Sequence, residues 1–297
     1  MSARAGAESA SPGTTAPTRA GSVDLHSHST ASDGASPPEG VVETAARAGL
    51  AAIALTDHDT LAGVAAARLS GTRLGVRVVA GVELSLMDGE REVHVLGLHI
   101  AQVDALEREL AAVRLSRRAR AERIVEKLNA LGIPITSGAV FAESGDGAVG
   151  RPHVARALIA GGWARDQREA FDRYLGAGRP ANGEKQRITV ADGIRLIHET
   201  GGLAVFAHPG QDGSRERIEA LVAVGLDGIE VRHPGHGADD IARLTALTDF
   251  FGLVPSGGSD WHGAVAGPRV LGGMNVPLEW LLRQDACLAA RGAVTVS

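Results

Sequence analysis

Short apolar runs recur along this chain, and each one stops at a cluster of polar residues. Val23–Leu25 leads into His26-Ser27-His28, with Asp33 just beyond, and Ala52–Leu55 leads into Thr56-Asp57-His58-Asp59. Val76–Val82 stops at Glu83, and Glu92–His99 carries His94. Leu203–Ala207 meets His208-Pro209, Gly228–Val231 meets Arg232-His233-Pro234, and Val254–Ser259 meets Asp260-Trp261-His262. Runs of this length, rich in Val, Ile and Leu, predict strands. Helical patterns lie between them, such as Glu39–Ala48 closed by Gly49. The alternation predicts βα units around a parallel sheet or barrel. In such folds the functional groups gather at the carboxyl ends of the strands.

Residues 103–187 break this rhythm. Val103–Leu131 reads as one long helix with arginines at 114, 117, 118, 120 and 123. Gly150-Arg151-Pro152-His153 precedes a helix at Val154–Ile159, and another is expected around Arg168–Leu175. The predicted class is therefore α/β, a barrel formed by residues 21–102 and 188–297 with a helical insertion subdomain at 103–187. Residues 1–20 are mostly Ser, Ala, Gly, Thr and Pro, with two arginines, which predicts a disordered tail rather than a secretory signal.

Composition narrows the partners. At 297 residues with 44% hydrophobic and 22% charged residues, the chain is ordinary for a globular protein. Aromatics are only 3%, so Val, Leu, Ile and Ala must fill the core. A net charge of −5 makes no case for duplex DNA or for a membrane surface, and no run approaches a membrane span. The single cysteine, Cys287, rules out an intrachain disulfide and a thiolate cluster and suits a reducing cytoplasm.

The strand-end residues carry the chemistry. In a strand, residues i and i+2 share a face with Cα atoms about 6.5–7 Å apart, so His26 and His28 can converge on one ion. Imidazole with carboxylate suits Zn, Mn or Fe. His26, His28, His58, His94, His208 and His262 are six of the eleven histidines; Asp33, Glu83 and Asp260 are the acids at comparable positions. Nine such groups exceed the shell of one ion and imply two or three divalent ions. Closely spaced metals suit phosphate ester hydrolysis.

The ordered set Asp24-Leu-His26-Ser-His28, Thr56-Asp57-His58-Asp59, Gly81-Val82-Glu83, Val93-His94-Val95, Ala207-His208-Pro209 and Gly258-Ser259-Asp260-Trp261-His262 resembles the PHP (polymerase and histidinol phosphatase) family of metal-dependent phosphoesterases. The resemblance implies a distorted (β/α)7 barrel with metals at its C-terminal mouth. It implies that His26, His28, Glu83 and Asp260 hold a first metal. Glu83 would bridge to a second metal completed by His94 and His208, and Asp33, His58 and His262 would hold a third. Asp57 and Asp59 are expected to orient ligands or waters. Hydrolysis would proceed by attack on phosphorus of a hydroxide bridging the first two metals, with Glu83 and Asp260 central to catalysis.

Within the family, Gly150-Arg151-Pro152-His153-Val154-Ala155-Arg156 and Gly228–Pro234 resemble a stand-alone branch of 3′,5′-nucleoside bisphosphate phosphatases that also trim short RNA from its 5′ end. The implied substrate is a small nucleotide or short oligonucleotide, handled by a monomer or small homo-oligomer. Arg151 and His153 suit either contact with a phosphate or capping and packing at a helix start. His233 and His236 suit contact with substrate, protonation of the leaving oxygen, or plain loop positions. The arginines at 114–123 fit a solvated face or one wall of a cleft. His99 and His198 read as structural or surface residues, and Gly201-Gly202 and Gly257-Gly258 as turns or close backbone approach.

Three rivals remain. A histidinol phosphate phosphatase would share the metal site and differ in its pocket. An amidohydrolase would bridge its metals with a carboxylated lysine, but the two lysines, Lys127 and Lys185, both fall in the predicted insertion. A non-catalytic scaffold module would keep the fold without turnover.

Overall fold

The computed structural model describes residues 21–89, 91–144, 149–182 and 188–294. Residues 1–20 and Lys185 lie outside them, as does the side chain of Arg114. The strands are β1 (Ser22–Asp24), β2 (Ala52–Leu55), β3 (Arg77–Asp88), β4 (Arg91–Leu98), β5 (Leu203–Phe206), β6 (Gly228–Arg232), β7 (Val254–Gly257) and β8 (Val276–Pro277). Helices α1 (Pro38–Arg47) and α2 (Val64–Leu74) follow β1 and β2. Next come α3 (Val103–Ala130), α4 (Ser137–Ser144), α5 (Arg151–Ala160) and α6 (Gln167–Ala170). The barrel resumes with α7 (Val190–Glu199), α8 (Arg215–Ala223), α9 (Ala238–Phe250) and α10 (Leu278–Val294).

The sheet runs β7-β6-β5-β4-β3-β2-β1-β8. It closes where Leu25 N–H donates to Gly257 O at 3.0 Å and Ser27 bridges Trp261. The short β8 lies antiparallel on β1. The barrel is thus the distorted α/β barrel expected, nearly closed and with an eighth strand.

A purely parallel sheet is not what the chain builds. β3 turns straight into β4 through Gly89, whose φ of 60° admits the tight turn. β4 therefore runs antiparallel to both β3 and β5, from the mouth toward the floor. Two expectations change with it. Glu83 sits inside a twelve-residue strand rather than at a strand end, and His94 is the fourth of the eight residues of its strand. β3 outlives β2, so beyond Leu55↔Ala80 only an isolated bridge joins His58 to Glu83. The strand β1 also stops at Asp24, leaving His26 and His28 on the segment after it.

Aliphatic residues fill the core, as the low aromatic content required. Ile53 and Leu55 of β2 pack with Val41, Val42 and Ala45 of α1 and Ala67 of α2. Ile194 and Ile197 of α7 join Leu86, Val95 and Phe206. α10 crosses the floor: Arg77 at the start of β3 pairs with Asp285, and Asp227, just before β6, pairs with Arg291. At this end His99 faces Gln284 Oε1 at 2.9 Å and His198 faces Asp227 at 2.8 Å, so both are structural.

α3 joins two cores. Its Leu106 and Leu110 belong to the barrel's cluster, whereas Ile124, Val125 and Leu128 join Val140, Val154, Leu158 and Leu175 in a separate helical cluster. With 28 residues the helix is about 42 Å long, enough to carry its second half away from the floor and over the mouth. α6 passes directly into a π-helical turn at Phe171–Leu175.

Candidate metal centre

Glu83 is the hub. Its Oε2 lies 3.3 Å from His26 Nε2, 3.2 Å from His28 Nε2 and 3.4 Å from His58 Nδ1. Its Oε1 lies 2.7 Å from His94 Nδ1 and 2.9 Å from His208 Nε2. Asp260 Oδ1 is 3.5 Å from His26 Nε2 and 3.3 Å from His28 Nε2, and these two nitrogens are 3.1 Å apart. A tetrahedron of ligands about 2.0–2.1 Å from a small divalent ion has edges of about 3.3–3.4 Å. The separations among His26, His28, Glu83 and Asp260 bracket that edge.

Three groups of donors could each hold an ion: His26, His28, Glu83 and Asp260; His58, Glu83 and His94; and His28, Asp33, His58 and His262. The first is the set that the family resemblance implies. In the second, His58 takes the place expected of His208, which meets Glu83 Oε1 from the other side. In the third, His28 stands beside the expected residues. His262 Nε2 is 3.2 Å from Asp33 Oδ1.

The ring nitrogens point the same way. Buried Nδ1 atoms of His28 and His58 find no hydrogen-bond partner, a condition that costs about 1–3 kcal/mol per group when nothing compensates it. His26 donates its Nδ1–H to Glu230 Oε1 at 2.9 Å, and His262 its Nδ1–H to Asp260 O at 2.9 Å. Each then turns a lone pair inward, the usual arrangement for a metal-bound imidazole. The residues fit divalent ions.

Protonation follows from the crowding. Burial works against a charged His28, but the carboxylates of Asp260 and Glu83 outweigh it and raise its pKa to about 10. Against the same burial, Glu83 and Glu92 raise His94 to about 9. His58 goes the other way, to about 4, because burial and the neighbouring His28 and His94 outweigh Glu83 and Asp33. A neutral His58 is already in the metal-binding form. Glu83 and Asp260 are held well below the ordinary carboxylate range, since the surrounding histidines overcome burial.

Backbone strain collects here. Asp59, His208 and Asp260 have φ values of 50°, 31° and 50°, which cost energy in non-glycine residues and cluster at functional sites. Close approach is needed too: a Cβ on Gly258 would stand 2.4 Å from His26 N and Cβ. Only glycine lets the Asp260 loop lie against the His26 segment.

The remaining expected residues divide. His233 Nδ1 accepts from Gly235 N–H at 3.0 Å, so its proton sits on Nε2, 3.5 Å from Asp260 Oδ2. It faces the centre with a donor. His236 has both nitrogens committed, Nδ1–H to Val231 O at 2.9 Å and Nε2 to Gly210 N–H at 3.0 Å. His153 is equally occupied: Gly150 N–H caps onto its Nδ1 at 2.8 Å and Nε2 meets Ser32 O at 3.2 Å. Arg151 lines a cavity of about 140 Å³ beside Asp33, His58 and His94. Asp57 holds Ser29 and Ser32 rather than a histidine, and Asp59 anchors Ser85 N–H and, at 2.5 Å, Arg117 Nε.

Sequence reasoning passed over Glu230. It is fully buried, and its two oxygens take His26 Nδ1–H and, at 2.6 Å, His208 N–H. A lone acid inside the apolar run Gly228-Ile-Glu-Val231 was the available signal. Arg269 was also missed; its guanidinium meets Asp260 Oδ2 at 2.5 Å. Lys127 donates to Asn182 O at 2.6 Å in the helical cluster, away from the donors around Glu83.

Comparison with known proteins agrees with this geometry. The PHP domain model matches residues 24–177. A 3′,5′-nucleoside bisphosphate phosphatase of Chromobacterium violaceum is 38% identical over 257 residues, 84% of this chain and 90% of that protein. A phosphoribosyl 1,2-cyclic phosphate 1,2-diphosphodiesterase of Eggerthella lenta is 38% identical, covering 81% and 94%. The 5′-3′ exoribonuclease Rnm of Escherichia coli is 38% identical, covering 80% and 84%. Among solved structures, a Bifidobacterium adolescentis protein assigned to the metal-dependent phosphoesterases superposes with a TM-score of 0.80 at 30% identity, over 90% of this chain and 96% of that one. A Chromobacterium violaceum protein described as an amidohydrolase, with sulfate bound and no metal, gives 0.77 at 35% identity over 84% and 90%. With its barrel, its histidine and carboxylate mouth and these relatives taken together, the chain belongs to the PHP-domain family.

Proposed function

We propose that this protein is a metal-dependent phosphoester hydrolase that removes the 3′-phosphate of nucleoside 3′,5′-bisphosphates and trims short 5′-phosphorylated RNA. The observation that carries the reading is Glu83, whose two oxygens each face a different set of histidines. That arrangement suits neighbouring ions sharing one carboxylate. His26, His28, Glu83 and Asp260 would hold one, and Glu83 with His94 and His208 or His58 another. Asp33, His58 and His262 would hold a third; Mn, Fe and Zn all suit the donors. When bound, such ions lower the pKa of a water and neutralise charge on phosphorus.

The chain's own groups supply the rest. The His233 Nε2–H is aimed at the centre and protonates the leaving oxygen. Arg151 presents a guanidinium fork to phosphate oxygens, while His153 and His236 hold the surrounding backbone. The names of two of the relatives, a nucleoside bisphosphate phosphatase and an exoribonuclease, support a nucleotide substrate. The test compares adenosine 3′,5′-bisphosphate, a short 5′-phosphorylated RNA and histidinol phosphate with Mn²⁺ added. Preference for the first two is expected. Preference for histidinol phosphate would reassign the substrate, and silence on all three and on an aryl phosphate across several metals would favour a scaffold.

A further inference from the structure

Asp260 is claimed from two sides. Its Oδ1 faces the Nε2 atoms of His26 and His28 at 3.5 and 3.3 Å. Its Oδ2 is met by Arg269 Nη1 at 2.5 Å and approached by His233 Nε2 at 3.5 Å. The arginine contact is short and charge-assisted, whereas the histidine contact is long for a hydrogen bond. His233 is otherwise settled, with a buried ring whose Nδ1 accepts from Gly235 N–H at 3.0 Å. Among the described residues, Asp260 Oδ2 is the acceptor that its remaining Nε2–H approaches.

The turn that delivers Arg269 is firmly built. Val270 N–H donates to Gly267 O at 3.3 Å and Gly273 N–H to Val270 O at 2.8 Å. Gly267 and Gly272 supply φ values of 83° and 76°, open to glycine at no steric cost. Buried Leu271 seats the turn among the side chains of α1 and β2. Buried Asp24 accepts Gly272 N–H on Oδ2 at 2.7 Å and Ser259 N–H on Oδ1 at 3.0 Å, tying the turn to the segment that carries Asp260. The guanidinium itself is half exposed, and exposed ion pairs contribute little to stability. The pairing matters for what it does to Asp260. With Oδ2 taken, Oδ1 alone is left to the centre, and the His233 donor is not drawn in.

We propose that Arg269 is a positioning residue: by occupying Oδ2 of Asp260 it keeps the His233 Nε2–H free for the leaving oxygen of a phosphate ester. This rests on the phosphoesterase reading above and deepens it. Without the guanidinium, the carboxylate and the imidazole close on each other, and the donor is satisfied within the protein. A substrate whose leaving group needs that proton then suffers most. Nucleoside 3′-phosphates are of this kind, because an alkoxide is a poor leaving group. Aryl phosphates are not, because the ring stabilises the departing phenolate.

The test uses the metal-loaded full chain and its variants Arg269→Ala and Arg269→Lys, with adenosine 3′-monophosphate and 4-nitrophenyl phosphate as substrates and thermal unfolding as the control for folding. In Arg269→Ala the ratio of kcat/KM on the nucleotide to kcat/KM on the aryl ester falls at least about tenfold, part of the roughly 10²–10⁴-fold that a positioned proton donor supplies. Arg269→Lys, which keeps a cation near Oδ2, recovers part of the ratio. In a His233→Ala background the same Arg269→Ala change moves the ratio no further, because the two residues act through one proton. Equal losses on both substrates, or an undiminished shift in the His233→Ala background, would overturn the proposal, since Arg269 would then serve the metals or the phosphoryl group directly. A second readout needs no turnover. In a crystal structure of metal-loaded Arg269→Ala, His233 Nε2 closes on Asp260 Oδ2 to an ordinary hydrogen-bond length of about 2.9 Å, and a pair that stays apart as in the wild type overturns the assignment. Wild-type silence on every phosphoester would sink the hydrolase reading alone, while this distance still decides the role of Arg269.

Discussion

The floor and the mouth of this barrel each bury acids against histidines, to opposite ends. At the floor, Asp227 Oδ2 accepts from Ala204 N–H at 2.7 Å and His198 Nε2–H at 2.8 Å, and Arg291 grips the same carboxylate. Each of these donors meets an acceptor. At the mouth, five histidines converge on Glu83, two of them aim ring nitrogens at each other 3.1 Å apart, and buried Nδ1 atoms stay without partners. The floor's cluster is complete as a fastening. The mouth's donors are complementary to cations, and the surrounding fold holds Asp59, His208 and Asp260 in strained backbone there. A polar cluster that satisfies itself serves stability, and one that does not is built for a ligand.

Exchanging the hub acid sharpens this contrast most. Glu83→Gln is expected to lose bound metal and to cut aryl phosphate turnover beyond the roughly 10–100-fold that loss of an outer partner costs. Metal analysis of the purified variant checks it, and full metal content with full activity would break the distinction between the two ends. Glu230→Gln comes next. Its amide cannot both accept from His26 and from His208 N–H as the carboxylate does, so metal affinity or activity should fall about 10–100-fold with the fold kept.

Asp227→Asn should do the reverse. Metal content stays, and stability falls by about 1–3 kcal/mol, because buried donors lose a charged acceptor while Arg291 remains partly solvated. Urea unfolding reads the loss. Despite burial, His198, Arg291 and the Ala204 N–H lower the pKa of Asp227. Its contribution is therefore full above the ordinary aspartate pKa of about 3.9 and is lost as pH falls through the lowered value. The acid limb of the stability curve should be shallower in the variant.

The smallest effect is a proton count. In the metal-free protein His28 and His94, with pKa values raised to about 10 and about 9, carry protons at pH 7. Their pairing with carboxylates stabilises that form below the ordinary histidine pKa and fades as pH rises through the raised values. Metal must displace those protons, so apparent affinity should increase with pH. Calorimetric titration in buffers of different ionisation heat measures the release, and a heat independent of buffer would contradict it.

Local pattern made much of this legible. Apolar runs ending in histidine or acid marked the mouth, the end of Val103–Leu131 and the helix after Gly150 came within a few residues, and eight of the nine expected donors reappear in the three close-packed groups. The ninth, His208, reaches the hub itself. What could not be read was direction and partnership. Periodicity alone does not distinguish a hairpin from a crossover; the short link with Asp88-Gly89 inside it was the available signal, and without it the reversal of β4 went unseen, and with it the mid-strand placing of Glu83. Glu230 looked like one acid in a strand until β6 packed beside β5 and β7. The arginines of α3 fitted a solvated face or a cleft wall equally in pattern, and the second helical core carries two of them to the cavity.

By itself, then, the sequence determined the kinds of ligand atom and their order along the chain, because side-chain chemistry and period-two patterning are local properties. The tertiary structure decided which nitrogens share an oxygen, which histidines merely cap or brace, and which arginines face the centre. Those are set by distances between segments far apart in the chain, and only closing the barrel brings them together.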